Sequence, residues 1–317
     1  MGLSGCSSVS EIFFHEKQTN LFSGKPGSNG PVLVVKIDDT SQAHPQIGLE
    51  DADLVYIEQV EGGLTRLAAV FSSMIPQRVG PIRSARISDI DILSQFGKVG
   101  FAYSGAQRKL LPVIKSANLL DLGAQHESSS LYTTDPTRTP PYAMVLRADL
   151  LMKMVAEKNL GIESAKDIGF VFGKKNSGGT PVAKVVMHWP AATYSANWSN
   201  TEKRWLLSHN NAPDLSENGF QLGPTTLIIQ MVSITPSEYR DKLGGVTPLS
   251  HTIGSGKAYV LRDGELFAGS WKRQTTESGT TFSLPSGDPI NLAAGQIWIA
   301  LTDREPDFTS QLSSKSK

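Results

Sequence analysis

The sequence is poor in the groups that most often announce a chemistry. It holds one cysteine in 317 residues, which excludes an internal disulfide framework and any multi-cysteine metal site. No apolar run approaches the roughly 20 residues needed to span a bilayer as a helix. Neither sign of charge is in excess, because Lys+Arg and Asp+Glu both number 30. A neutral chain has no long-range field to gather nucleic acid or an anionic membrane surface, so nucleic acid is not an expected partner. There is no Gly-x-Ser-x-Gly elbow, no Walker-type phosphate loop and no His-Glu-x-x-His helix. The six histidines, His15, His44, His126, His188, His209 and His251, lack metal-ligand spacing. No metal and no cofactor is therefore expected.

The 39% hydrophobic and 19% charged content suits a folded body, and the length allows one large domain or two of ordinary size. The single cysteine, Cys6, sits in Leu3-Ser4-Gly5-Cys6, the small-residue pattern read by bacterial lipoprotein processing. A lone cysteine is more often a buried, unreactive residue, but a position so near a terminus is hard to bury. Ser7, Ser8 and Ser10 follow it as in a tether. Such processing also needs a basic and an apolar region upstream of the cysteine, where this sequence has five residues. The expectation is lipidation at Cys6, with several acyl chains because one binds membranes only marginally. The protein is then held at the extracytoplasmic face of the cell membrane, with the membrane itself as a partner.

Residues 1–30 read as tether and linker, ending in the Gly- and Pro-rich run from Ser23 to Gly30. Pro31–Ile37, Leu54–Ile57, Leu67–Phe71 and Val99–Tyr103 read as buried strands. Apolar spacing predicts helices over Ser84–Phe96, over Gln107–Ala117 with a kink at Pro112, and over Ala148–Asn159. The interleaving predicts an N-terminal mixed α/β domain over 31–172. A Gly- and Ser-rich loop at 173–180 then leads to a β-rich C-terminal domain over 181–303. That half has Asp263-Gly264 as a type I′ hairpin turn and holds all five tryptophans. The fold class is thus α+β or mixed, with a polar tail at 304–317 expected to be disordered. Trp271 and Trp298 read as core, while Trp198 and Trp205 are the better candidates for an exposed sugar-stacking platform.

Two clusters carry the functional reading. Asp38 and Asp39 end a strand, His44 follows, and Glu58 and Glu61 lie at the end of the next strand. Converging carboxylates can bind a hard cation or act as acid and base, and the plainer reading is that they cap loops in water. Arg66, Arg83 and Arg86 form a basic group, the last two in Gly80-Pro81-Ile82-Arg83-Ser84-Ala85-Arg86 just ahead of a predicted helix. Guanidiniums beside a helix N-terminus suit an anion, and the plainer reading is an ion pair with the acidic cluster. The expected ligand site is therefore Arg66, Arg83, Arg86, Glu61 and His44, taking a cell-wall glycan or small anionic ligand, unless the protein serves as a scaffold. The alternative is an envelope hydrolase using a carboxylate pair among Asp38, Asp39, Glu58 and Glu61, with or without a divalent cation.

Three stretches of the first half, Asp51–Tyr56, Val60–Arg66 and Val79–Arg86, resemble the YerB-like family of bacterial lipoproteins. So do Gly254–Ala258, Asp263–Glu265, Gly269–Lys272 and Gly295–Ile299 in the second half. The resemblance covers about residues 30 to 303 and implies an N-terminal α/β domain, a β-rich C-terminal domain and a lipid anchor. It implies no activity, since the family's function is unknown. Where the family pattern carries Arg-x-x-Pro-His-Asn, this sequence reads Arg138-Thr139-Pro140-Pro141-Tyr142, so no general base is expected there.

Overall fold

A computed structural model describes residues 18–311; Cys6 lies outside them. The first half supplies strands β1 (Leu33–Asp38), β2 (Leu54–Gln59), β3 (Thr65–Phe71), β4 (Val99–Ala102) and β5 (Leu119–Asp121). Its helices are short: α1 (Ile87–Ser94), α2 (Leu111–Ser116) and α3 (Ala148–Glu157). β1, β2 and β3 are buried along almost their whole length, so they read as unbroken apolar runs rather than alternating ones.

The expectation of an α+β fold with an α/β first domain is corrected here. The protein is mostly β, with 41% strand and 12% helix, and fifteen strands join one mixed sheet. β3 runs antiparallel to both β1 and β2; within this half, only β4 is parallel to its neighbours β1 and β5. Strand Ile297–Thr302 then lies parallel to β2 on one side and to Thr226–Met231 on the other. The sheet therefore passes without a break from the first half of the chain into the second. Continuous apolar strands reported burial on both faces, but the cover comes from the other half of the chain as much as from helices. Each of the two core layers mixes residues of both halves: Val55, Leu67 and Trp298 in one, Tyr56, Val70 and Ile299 in the other.

Local expectations fare differently from the global one. The three helices form, each shorter than its periodicity suggested, and Pro112 sits in the first turn of α2 instead of kinking it, where a missing N–H costs nothing. Asp263 and Gly264 both have positive φ, 51° and 74°, and join Gly254–Arg262 to Glu265–Arg273 as a two-residue turn. Trp271 and Trp298 are core. Trp205 is core too, which removes it from the expected platform, with Trp198 tilted against it at 5.4 Å.

At both margins of the described residues the chain is more ordered than its composition implied. Asn20 and Phe22 are buried, and Asn20 bonds Ser28 and Ser72, so the latter part of the expected linker belongs to the folded body. In the expected disordered tail, Asp307–Ser310 pairs antiparallel with Thr180–His188, anchored by Phe308 packing edge-on against Tyr259. Backbone pairing, the Phe308 ring and the contacts of Asp307 with His188 and of Glu305 with Lys257 and Tyr259 dock this polar run. No helix among the described residues is long and apolar enough to cross a membrane.

Candidate functional site

The site grows from the end of β1. Successive side chains of a strand point to opposite faces, so Lys36 and Asp38 share one face while Ile37 and Asp39 take the other. Cross-strand register sets Asp38 opposite Arg66 on β3, and Arg66 opposite Glu58 on β2. Towards the other end of these strands the same face is apolar, with Val34, Tyr56 and Val70. It turns polar only over its last residues.

Lys36, Glu58 and Asp89 form the first step of that polar end, and all three are fully buried. The Lys36 ammonium donates to Glu58, and to Asp89 Oδ1 at 2.8 Å. Its cross-strand partner on β3 is the small residue Ala68. One ammonium serves two carboxylates: burial, then the nearby Asp89 charge, raises Glu58 to about 7. Asp89 also accepts the Arg86 backbone N–H at 2.6 Å, so the N-terminus of α1 is capped from within rather than left open for an anion.

Beyond this triad the face opens into a cavity of about 420 Å³. Asp38, Glu61, Arg66, Arg83, Arg86 and Gln107 line it, and the hairpin loop Asp241-Lys242-Leu243 hangs at its mouth. Arg86 Nε donates to Glu61 Oε2 at 2.8 Å. Thr247 donates to the other oxygen of Glu61, and Gln107 reaches both Thr247 and Glu61. Burial acts to raise the Glu61 carboxyl, but Arg86 and Thr247 outweigh it and hold it below its ordinary range. Arg83 Nε lies 2.7 Å from Asp38 Oδ2 at angles outside hydrogen-bond geometry, so that contact is an ion pair without a directed bond.

Arg66 is different. It is 9% exposed, and its guanidinium donates to the Ser84 carbonyl at 2.9 Å. No carboxylate lies within 4 Å of it among the described residues. Burial, then the adjacent Arg86 and Arg83 charges, pushes it down to about 10. Counting Asp241 and Lys242 at the mouth, four cations thus face three carboxylates, leaving one positive charge in excess.

On the opposite face Asp39 enters a separate, closed cluster. It accepts hydrogen bonds from Tyr194 at 2.6 Å, from Gln46 at 3.3 Å and from Thr65. His44 stands between two aspartates, with Nδ1 3.0 Å from Asp214 Oδ1 and Nε2 3.4 Å from Asp39 Oδ1. Burial disfavours its charge, but Asp214 and Asp39 prevail and raise it to about 10. Burial lowers His209, which stacks on His44 with ring centroids 4.6 Å apart.

The structure therefore brings Arg66, Arg83, Arg86, Glu61 and Asp38 to one cavity. It sends Glu58 into the triad beneath, and Asp39 and His44 to the other face. His44 consequently does not line the expected ligand site. Sequence reasoning missed Gln107, Thr247 and the 241–243 loop, as well as Tyr194, His209 and Asp214. The second-half residues lie far along the chain from their partners, and nothing local marked them.

Comparison with known proteins agrees with the fold. Residues 19–162 match the family model described as Protein of unknown function (DUF3048) N-terminal domain, and residues 185–299 match its C-terminal domain. The chain is 30% identical over 128 residues to a protein of Bacillus subtilis (strain 168) named "Putative lipoprotein YerB". That stretch spans 40% of this chain and 38% of the relative's length. The crystal structure of YerB protein from Bacillus subtilis superposes with a TM-score of 0.79 at 19% identity, over 93% of this chain and all of that one. With both of its domains matched in order along the chain, the protein belongs to the DUF3048 family, whose function is unknown.

Proposed function

We propose that the protein is a lipid-anchored extracytoplasmic binding protein whose basic cavity holds an anionic envelope ligand, a phosphate- or carboxylate-bearing wall glycan. Arg66 carries the reading: a nearly buried guanidinium with no carboxylate partner, at the wall of an open cavity. Leaving a buried charge unpaired is costly, and an anion arriving between Arg66 and its neighbours relieves that cost through charge-assisted hydrogen bonds. Asp38 and Glu61 are each engaged by a guanidinium and Asp241 at the mouth by backbone N–H groups, which favours holding a ligand over acid–base chemistry. The anchor rests on Leu3-Ser4-Gly5-Cys6 and on the lipoprotein name of the relative.

Calorimetry with polyglycerol phosphate and with muropeptides tests the cavity. Binding that falls at least tenfold in Arg66→Met, with the fold intact, supports the reading, since a hydrogen bond to a charged group contributes about 1.5–3 kcal/mol. No binding of either class, or equal binding by the variant, overturns it. For the anchor, incorporation of a fatty-acid analogue in the native cell should vanish in Cys6→Ser, and equal label refutes it.

A further inference from the structure

We infer that the closed cluster on the opposite face of the sheet is a site for one divalent transition-metal ion of the zinc class, held by Asp39, His44 and His209. The site is independent of the anion cavity, and either can stand if the other fails.

Three observations converge on it. First, a carboxylate oxygen of Asp39 and ring nitrogens of His44 and His209 all lie within 4.8 Å of one another. Ligands about 2.0–2.2 Å from a common ion lie at most about 4.4 Å apart, so loading draws this set together by a few tenths of an ångström. Two imidazoles and a carboxylate suit zinc, cobalt, nickel or copper rather than calcium or magnesium, which prefer all-oxygen shells.

Second, the cluster contains buried polar atoms with nothing to bond. His209 is 5% exposed and its Nε2 has no partner; Gln46 Oε1 and Asp214 Oδ2, both in fully buried residues, have none either. Buried polar atoms are rarely left so, and three in one cluster point to a positive centre among them. The Gln46 amide nitrogen sits 3.2 Å from His44 Nε2 and 3.3 Å from Asp39 Oδ1. Turning this amide over about its terminal bond presents its carbonyl oxygen to the same point as a fourth ligand.

Third, the surroundings are those of a metal centre. A ligating histidine usually donates its other ring N–H to a carboxylate, and His44 Nδ1 lies 3.0 Å from Asp214 Oδ1. Tyr194 and Thr65 fix the Asp39 carboxylate. Asp39 and Asp214 bring two negative charges, which one divalent ion balances with both imidazoles neutral, the ion displacing the His44 proton to solvent. The His44 and His209 rings lie 10° from parallel, so loading turns the His209 ring, whose free Nε2 holds no hydrogen bond to be lost. His44 also lines a second cavity, beside Pro45, Arg138 and Tyr142, which gives the ion a way in. Once bound, the ion ties the segment after β1 to the hairpin around His209, joining the two halves of the chain.

The test uses the full chain purified without a histidine tag, stripped with chelator and titrated with zinc and cobalt. Expected are about one zinc per chain retained through gel filtration, a raised melting temperature, and a visible cobalt absorption of tetrahedral type. His209→Gln and His44→Gln should each weaken zinc at least tenfold. Should either variant fail to fold, Gln46→Glu, which adds an oxygen ligand, should tighten zinc instead. No retained metal with neither thermal shift nor cobalt absorption overturns the site. So does zinc binding that the His209 and His44 variants leave unchanged.

Discussion

Asp38 and Asp39 are neighbours in the chain, yet they belong to two different chemistries. Asp38 looks onto an open cavity where cationic side chains outnumber carboxylates. Asp39 looks into a closed cluster where two carboxylates meet two imidazoles. One face has positive charge to spare and the other negative. The strand's period of two does the sorting, and the mixed sheet keeps the two sites apart by a single backbone layer. The lesson is that a run of like residues at a strand end is not one cluster. Its members are assigned alternately to whatever each face contains.

If the two faces are independent, damage to one should leave the other's property intact. The largest effect is expected at Lys36, which sits beneath the cavity with no exposure. Lys36→Met leaves Glu58 and Asp89 facing each other without their ammonium. Breaking a buried pair in this way costs about 3–5 kcal/mol, readable as a lowered urea midpoint. If the variant folds, zinc uptake on the Asp39 face should be unchanged; loss of both properties would mean that the faces are one cooperative unit.

Next in size is a pH effect confined to the Asp38 face. The folded-state pKa of Glu58, about 7, lies above its ordinary 4.5. A raised folded pKa means that the folded state favours the protonated form. That stabilisation is fully present below pH 4.5 and is lost as pH rises through 7. Glu58→Gln is neutral at every pH, so it should gain stability relative to the native chain across that window, by up to about 1.4 kcal/mol as pH rises by one. Parallel urea midpoints from pH 4.5 to 8 would break the assignment.

Much of this arrangement was legible in advance. β1, β2 and β3 announced themselves because both faces are buried and neither dilutes the apolar run. The grouping of Arg66, Arg83 and Arg86 with Glu61 was legible because strand ends and a nearby helix start fall close in sequence. The fold class was not legible. Strand order and direction are decided by pairing between halves, and nothing in Ile297–Thr302 says that it will lie beside β2. The Asp39 cluster was illegible for the same reason: His44 meets Asp214 across 170 positions. Spacing along a chain carries no trace of ligands gathered from separate strands.

A smaller change sharpens the separation. Tyr194→Phe removes one of the donors to Asp39 without touching the cavity. A hydrogen bond to a buried charged group contributes about 1.5–3 kcal/mol, so the urea midpoint should fall by a corresponding amount. Outer partners of metal ligands typically change affinity about 10–100-fold, so zinc should weaken within that range. Polyglycerol phosphate binding should stay at the native value; a parallel drop there would show that the two faces communicate.

The smallest effect is expected at Leu243, on the loop at the cavity mouth. It is 95% exposed, so it contributes nothing to the core, and Leu243→Ser should change stability by no more than about 0.5 kcal/mol. An apolar side chain held in water beside a charged cavity is useful only if something apolar meets it. Asp241 anchors the loop, accepting backbone N–H groups from Leu243 at 2.9 Å and Gly245 at 2.7 Å, so Leu243 is held out from a defined turn. Contact with the sugar or acyl portion of a ligand would make Leu243→Ser weaken wall-fragment binding about two- to tenfold while leaving free phosphate unaffected, given roughly 25 cal/mol per Å² of apolar surface. Equal weakening of both would assign the loop to charge placement through Asp241 and Lys242 instead, and the open face would then recognise its ligand by charge alone.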